Sequence, residues 1–182
     1  MHHDKLLTAL ALVLVVPAAG CSSTHETLSA TTGVYDLTIA SESDPCSPMR
    51  LTGPVGTAGV TLSGALLTLS APDPTTNAPM LVALNSNSGY SQTQTLPLEA
   101  CTAATLERAY TVVGTNESGF DVAYRESWSG LSTCGAAMRS IMPAAPSADC
   151  SADLVLHYRL DAACASPCQI RVSADGAAAC HC

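Results

Sequence analysis

The most reactive side chains of this 182-residue chain are its nine cysteines. Eight of them follow residue 40 and form an even set: Cys46, Cys101, Cys134, Cys150, Cys164, Cys168, Cys180 and Cys182. An even number of cysteines in an exported chain predicts a disulfide framework. Four bridges among eight cysteines allow roughly a hundred pairings, so the spacing alone does not decide which cysteines pair.

The last fifteen residues narrow that choice locally. The segment 168–182 alternates, passes through turn-forming residues and alternates again, which predicts a β-hairpin. Cross-strand neighbours in such a hairpin would place Cys168 near Cys182 and leave Cys164 to reach Cys180.

The same residues offer soft ligands for a metal, since Cys180, His181 and Cys182 are consecutive. In a strand, however, His181 points to the opposite face from its two neighbours. Disulfide formation also consumes the thiols. We therefore predict no metal site and no cofactor.

Glu126 is the residue best placed to orient a ligand. It shares its alternating phase with Tyr124 and Trp128, and a carboxylate between two aromatic rings could form part of a ligand pocket. The alternative, which we favour from the sequence, is that the strand ends or bulges near Arg125 and leaves Glu126 in water.

No sequence motif points to catalysis: Gly-x-Ser-x-Gly, His-Glu-x-x-His and phosphate-binding loop patterns are all missing. His157 reads as a solvated surface residue, because Asp153 and Asp161 would lie about 13 Å away along a strand. We predict that the protein is not an enzyme. A hydrolase would require two or more of Glu126, Asp121, His157 and the tyrosines to meet within hydrogen-bond distance.

Composition excludes one class of partner and describes the core. The net charge of −8 argues against nucleic-acid binding, which needs clustered Lys and Arg. Only 4% of residues are aromatic. A core with so few large side chains buries little area, and disulfides would supply much of its stability.

Period-two hydrophobicity predicts an all-β domain. The clearest strands are Gly33–Ile39, Phe120–Tyr124 with its phase continuing to Trp128, and Leu154–Leu160. Weaker candidates are Met49–Thr52, Gly59–Leu62, Leu66–Leu69, Met80–Asn85, Thr93–Leu98 and Tyr110–Val113. One short helix is predicted over Ser132–Ile141. Such alternation indicates antiparallel pairing.

These strands fit an antiparallel meander forming a barrel or a two-sheet sandwich, held by disulfides. Consecutive hairpins favour the barrel. Gly33-Val34-Tyr35 is similar to the Gly-x-Trp sequence that opens the first strand of lipocalins, with Tyr in place of Trp.

The first twenty residues form an export signal. Lys5 precedes an apolar run, Leu6–Val16, that is too short to span a bilayer. The sequence 18–21, Ala-Ala-Gly-Cys, resembles the bacterial lipobox, although Ala18 stands where that motif usually has Leu. The resemblance implies that residues 1–20 are a lipoprotein signal peptide and that Cys21 becomes an acylated N-terminus.

Ser22, which is not aspartate, implies an outer-membrane address under the sorting rule of that family. The alternative is an ordinary secreted protein, cleaved near Ala19, with Cys21 in a disulfide. In the lipoprotein reading, residues 21–31 are a lipidated flexible tether and residues 32–182 are a disulfide-rich β domain.

The lipobox, the few aromatics and the scattered cysteines resemble the small cysteine-rich lipoproteins of myxobacteria. We therefore expect a protein anchored in the outer membrane through acylated Cys21, facing the periplasm or the cell surface. Its β domain would be a binding or interaction module for a small apolar ligand or an envelope protein. The alternative is a structural envelope protein without a small ligand. A Tyr- and Trp-lined pocket would favour the first, and a core filled by side chains the second.

Overall fold

The computed structural model describes residues 28, 30–46, 52–75, 78–98, 101–134, 145–166, 168–173 and 177–182. This part of the chain consists of ten strands and two short 3₁₀ turns, Ser86–Ser88 and Leu131–Thr133. The strands are β1 Gly33–Ser43, β2 Gly53–Ser63, β3 Leu66–Pro72, β4 Pro79–Asn85, β5 Ser91–Pro97, β6 Thr105–Asn116, β7 Gly119–Ser129, β8 Cys150–Ala163, β9 Gln169–Val172 and β10 Ala178–His181.

Strands β1 to β8 form one antiparallel sheet in the order β4-β3-β2-β1-β8-β7-β6-β5. Strands β1 to β4 and strands β5 to β8 each pair with their neighbours in sequence, and β1 pairs with β8, so the sheet curls into a nearly closed barrel. Strands β4 and β5 lie at the two ends of this order. The predicted all-β antiparallel meander is confirmed, and it forms a barrel and not a two-sheet sandwich.

All three clear strand predictions lie within observed strands, β1, β7 and β8. Four of the weaker predictions lie within β2, β3, β4 and β6, and Thr93–Leu98 lies in β5 except for Leu98, which follows the strand. Of Met49–Thr52, only Thr52 is among the described residues, and it precedes β2. Of the helix predicted over Ser132–Ile141, the start is a 3₁₀ turn and the rest lies outside the described residues.

Inward-facing side chains of the described strands form the core of the barrel. Six of the seven aromatic residues are buried, so the few large side chains of this sequence are concentrated in its core. The Phe120 ring stacks on Tyr158 with centroids 4.9 Å apart, and the edge of Tyr35 meets Phe120 at 5.6 Å. Around them pack the buried aliphatic residues Leu37, Ile39, Val60, Leu67, Leu69, Val82, Leu84, Val122, Leu154 and Leu156.

The chain enters the barrel at the end where β1 begins, which we call the N-terminal end. Leu28 is buried in the core, and the Tyr35 hydroxyl donates to the Thr31 carbonyl at 2.8 Å and accepts from the Thr31 N–H. The packed domain thus includes Leu28, Ala30 and Thr31, which the sequence analysis placed in the tether.

The opposite end, which we call the cross-linked end, carries two disulfides, Cys46–Cys150 and Cys101–Cys134. They enclose a second apolar cluster that includes Leu106. Because these bridges join residues 104 and 33 positions apart, they connect segments that are distant in sequence.

The other two disulfides join Cys164 to Cys180 and Cys168 to Cys182, which confirms both predicted pairings. The β9–β10 hairpin that they hold lies against the barrel at β2. There the Ala178 N–H donates to the Thr57 hydroxyl at 2.9 Å. Gly59 permits this contact, since a Cβ at that position would lie 2.6 Å from an Ile170 methyl carbon.

Candidate functional site

Glu126 lies inside the barrel near the cross-linked end, with none of its surface exposed. Strand β7 continues past Arg125 to Ser129, so Glu126 keeps the inward phase of its neighbours. The expectation that the strand ends or bulges there and leaves Glu126 in water is wrong. The reason is that the carboxylate finds partners inside the barrel which the local sequence does not show.

Two of these partners are on β7 itself. The Tyr124 hydroxyl donates to Glu126 Oε2 at 2.6 Å, and the Trp128 indole N–H donates to Oε1 at 2.6 Å. Side chains two residues apart share a face of a strand, which places the carboxylate between the two rings. The structure therefore brings the three predicted pocket residues together.

The remaining partners come from other strands. Thr75, in the turn that follows β3, donates its hydroxyl to Glu126 Oε2 at 2.8 Å. Arg108 of β6 lies with Nε 3.5 Å from Oε2 and with a terminal nitrogen 2.7 Å from Asp73 Oδ2. Asp73 also accepts the Thr75 N–H at 2.8 Å. The β3–β4 turn is thereby tied across the barrel to β6 and β7.

Sequence reasoning missed Asp73, Thr75 and Arg108. A signal for Arg108 was present, because it alternates with Leu106 and Tyr110 and so faces inward on β6. Nothing local marks Asp73 and Thr75, because their role depends on where the β3–β4 turn meets the opposite wall.

The electrostatics of this network keep its donors protonated. Burial raises the pKa of Tyr124, and the adjacent Glu126 charge raises it further. Burial also raises the pKa of Tyr110, whose ring centroid lies 5.1 Å from that of Tyr124. Burial alone would lower the pKa of Arg108, but its acidic neighbours, Tyr124 and Asp73 foremost, outweigh that effect and raise it.

Chemically, this arrangement is a buried cross-link. A carboxylate that accepts from a phenol, an indole and a hydroxyl, beside a guanidinium, has its charge compensated by fixed donors. Such a network stabilises one arrangement of the β3–β4 turn and helps to close the cross-linked end.

The second group of polar residues lies on the outer face of the sheet. His157 Nδ1 lies 2.9 Å from Asp121 Oδ1, and Arg159 lies 2.8 Å from the same oxygen. Asp121 and His157 are directly paired across β7 and β8. Burial alone would raise the pKa of Asp121, but the hydrogen bonds from His157 and Arg159 and the Arg159 charge outweigh it and lower that pKa.

Two pairs thus meet within hydrogen-bond distance, Asp121 with His157 and Glu126 with Tyr124. They occupy opposite faces of the sheet and do not combine into one site. Thr38 is the cross-strand neighbour of His157 on β1. Asp153 pairs with Arg125 at 2.7 Å.

All eight cysteines outside the N-terminal segment are paired in disulfides, whereas Cys21 lies outside the described residues. Over the described ranges, no group of three or more His, Cys, Asp or Glu side chains is arranged to hold a metal ion. A helix long and apolar enough to cross a bilayer is likewise not found in that part of the chain.

Comparison with known proteins adds no relative: no family model, curated protein or solved structure matches this chain.

Proposed function

We propose that this protein is a lipid-anchored β-barrel domain of the bacterial cell envelope that acts through its outer surface and carries no small ligand inside the barrel. The observation that carries the proposal is that the inward-facing side chains of the described strands pack against one another inside the barrel. It favours an envelope protein that contacts other macromolecules over a carrier of a small apolar molecule, the role that the sequence analysis also considered.

The packing of the barrel supports this choice. Tyr35, Phe120 and Tyr158 occupy the interior towards the N-terminal end, where Leu28 is also buried. The network around Glu126 occupies the cross-linked end. A ligand-binding barrel instead needs a concave, mostly apolar space that is already formed.

The cysteines support export. Disulfides persist in oxidising compartments and are rare in reducing ones, so four of them in one domain favour export. Their even set leaves Cys21 as the odd cysteine, which suits a residue reserved for acylation at the lipobox. Each buried methylene of an acyl chain contributes about 0.8 kcal/mol, so two or more chains would hold the protein on a membrane.

The anchor is tested by labelled-palmitate incorporation and membrane fractionation of the wild type and Cys21→Ala. We expect label and membrane association in the wild type only. Cys46→Ala, which removes a cysteine outside the lipobox, should keep the label. Label in Cys21→Ala, or no label in either protein, would remove the anchor from the proposal.

The absence of an internal ligand is tested by native mass spectrometry of the protein from its own host, together with benzene binding followed by NMR. We expect no retained small molecule and no benzene binding in the wild type. Phe120→Ala should open an apolar cavity that does bind benzene, as engineered core cavities do. A retained molecule, or benzene uptake by the wild type, would restore the carrier function.

A further inference from the structure

A groove of about 300 Å³ crosses the outer face of the sheet from β1 to β6. Glu42, Asp153, Arg125 and Ala109 line it, one from each of the four adjacent strands β1, β8, β7 and β6. Arg125 is the direct cross-strand partner of both Ala109 and Asp153. Tyr124 and Leu154 also line the groove, but the side chain of Glu126 and its hydrogen bond from the Tyr124 hydroxyl lie on the inner face of the same strands.

Small residues form the apolar part of the groove. Ala109 of β6 and Ala123 of β7 face outward on adjacent strands. Thr111 of β6 is the direct cross-strand partner of Ala123. The Thr111 hydroxyl is already bonded to Ser91 at 2.9 Å. Alanines at outward positions leave a shallow, flat surface on which the methylenes of a long side chain could lie.

The charges of the groove are unequally compensated. Arg125 donates twice to Asp153, at 2.7 and 3.2 Å, so these two charges neutralise each other. Glu42 is exposed, and its carboxylate makes no hydrogen bond or ion pair within the described ranges. One uncompensated negative charge therefore stands at the β1 side of the alanine surface, which favours a cation and disfavours an anion.

We propose that this groove binds a lysine or arginine side chain of a partner protein, with its methylenes over Ala109 and Ala123 and its charged head at Glu42. The groove suits this chemistry because long cationic side chains combine an apolar stem with a charged tip. The inference rests on the proposed function, in which the outer surface is the working surface.

The position of the groove agrees with that role. Glu42, Arg125 and Asp153 lie in the half of the barrel near the cross-linked end. The chain enters at the other end, beside Leu28. A tether leading to Cys21 would leave the groove on the part of the domain that points away from the lipid.

The test is an NMR titration of the isotope-labelled full chain with N-acetyl-lysine amide and N-acetyl-arginine amide. N-acetyl-norleucine amide has a similar stem without the charge and is the neutral control. We expect shifts confined to the amides around Ala109, Thr111 and Ala123, and weak or no binding of the neutral probe. Equal binding of all three probes, or shifts elsewhere, would overturn the proposal.

Two substitutions divide the site into its parts. Glu42→Gln should raise Kd by up to about fivefold, the scale of one exposed ion pair, and Ala123→Leu should block the groove without altering charge. Asp36→Asn removes another exposed carboxylate of β1, outside the groove, and should leave Kd unchanged. Equal effects of Glu42→Gln and Asp36→Asn would show only non-specific attraction.

Cys21→Ala separates this inference from the anchor. Binding of the cationic probes by that variant should equal that of the wild type, even if the palmitate experiment disproves acylation. Loss of probe binding in Cys21→Ala would contradict the groove as the binding site.

Discussion

Replacing Glu126 by glutamine tests whether the buried carboxylate is a charged cross-link. Glutamine keeps the size of the side chain but removes its charge and turns one acceptor into a donor. Tyr124 and Thr75 can reverse their hydroxyls to accept, whereas the Trp128 N–H can only donate. The new amide can therefore satisfy these three neighbours, and the main loss is that of the charge, including its attraction to the Arg108 guanidinium.

The size of that loss follows from the bonds. A hydrogen bond to a charged group contributes about 1.5–3 kcal/mol, against about 0.5–1.5 kcal/mol between neutral groups. Tyr124, Trp128 and Thr75 each donate to Glu126. A loss of about 1 kcal/mol in each bond predicts that Glu126→Gln lowers the free energy of unfolding by about 3 kcal/mol. Breaking a buried ion pair costs a similar amount, about 3–5 kcal/mol.

The assay is reversible denaturant unfolding with disulfides intact, followed by the fluorescence of Trp128, the only tryptophan. Glu107→Gln, at an exposed position of β6, is the matched control and should change stability by less than about 0.5 kcal/mol. Thr75→Val should also destabilise, and its effect should not add fully to that of Glu126→Gln because the two side chains are bonded. A loss below about 1 kcal/mol in Glu126→Gln would refute the charged cross-link.

Three further predictions concern pH and cross-links. Burial raises the pKa of the four core tyrosines, so their contribution to stability is complete below about pH 10 and is lost as pH rises further. The slope should approach about 4 kcal/mol per pH unit for Tyr110, Tyr124 and Tyr158, whose pKa is raised most. It is measured by unfolding between pH 9 and 12 with absorbance at 295 nm, and titration without unfolding would contradict it. The pKa of Asp121 is lowered, so its contribution to stability is present above about pH 4 and is lost as pH falls through the folded-state pKa. Asp121→Asn should therefore flatten the acid side of the curve of unfolding free energy against pH. An unchanged acid side would disprove this. Removing Cys46–Cys150 by double alanine substitution should lower the free energy of unfolding by about 4.7 kcal/mol, and removing Cys168–Cys182 should lower it by about 3 kcal/mol. The difference arises because the two bridges span 104 and 14 positions. Calorimetry that reverses this order would contradict the loop-entropy argument.

The sequence predicted the strands well because a strand is a local pattern. Alternation at Gly33–Ile39 and Leu154–Leu160 reports which side chains face a core, whatever strand lies beside them. The pairing of Cys168 with Cys182 could be predicted for the same reason, since a hairpin of fifteen residues places both cysteines by its own turn.

The candidate site was only half predictable. The inward phase of Tyr124, Glu126 and Trp128 is visible in the sequence, but their burial is not. Burial of a carboxylate costs free energy unless donors surround it, and two of its partners, Thr75 and Arg108, belong to segments distant in sequence. Without them, exposure of Glu126 was the reasonable expectation.

The sequence by itself thus determined the all-β class, the inward and outward positions of each strand and the cross-links of the last hairpin. Tertiary structure decided the pairing of Cys46 with Cys150, the contact of Asp121 with His157 and the groove beside Glu42. These depend on the sheet order and register, which bring β1 beside β8 and β8 beside β7. That order results from packing the whole set of strands around one core, so no single segment encodes it.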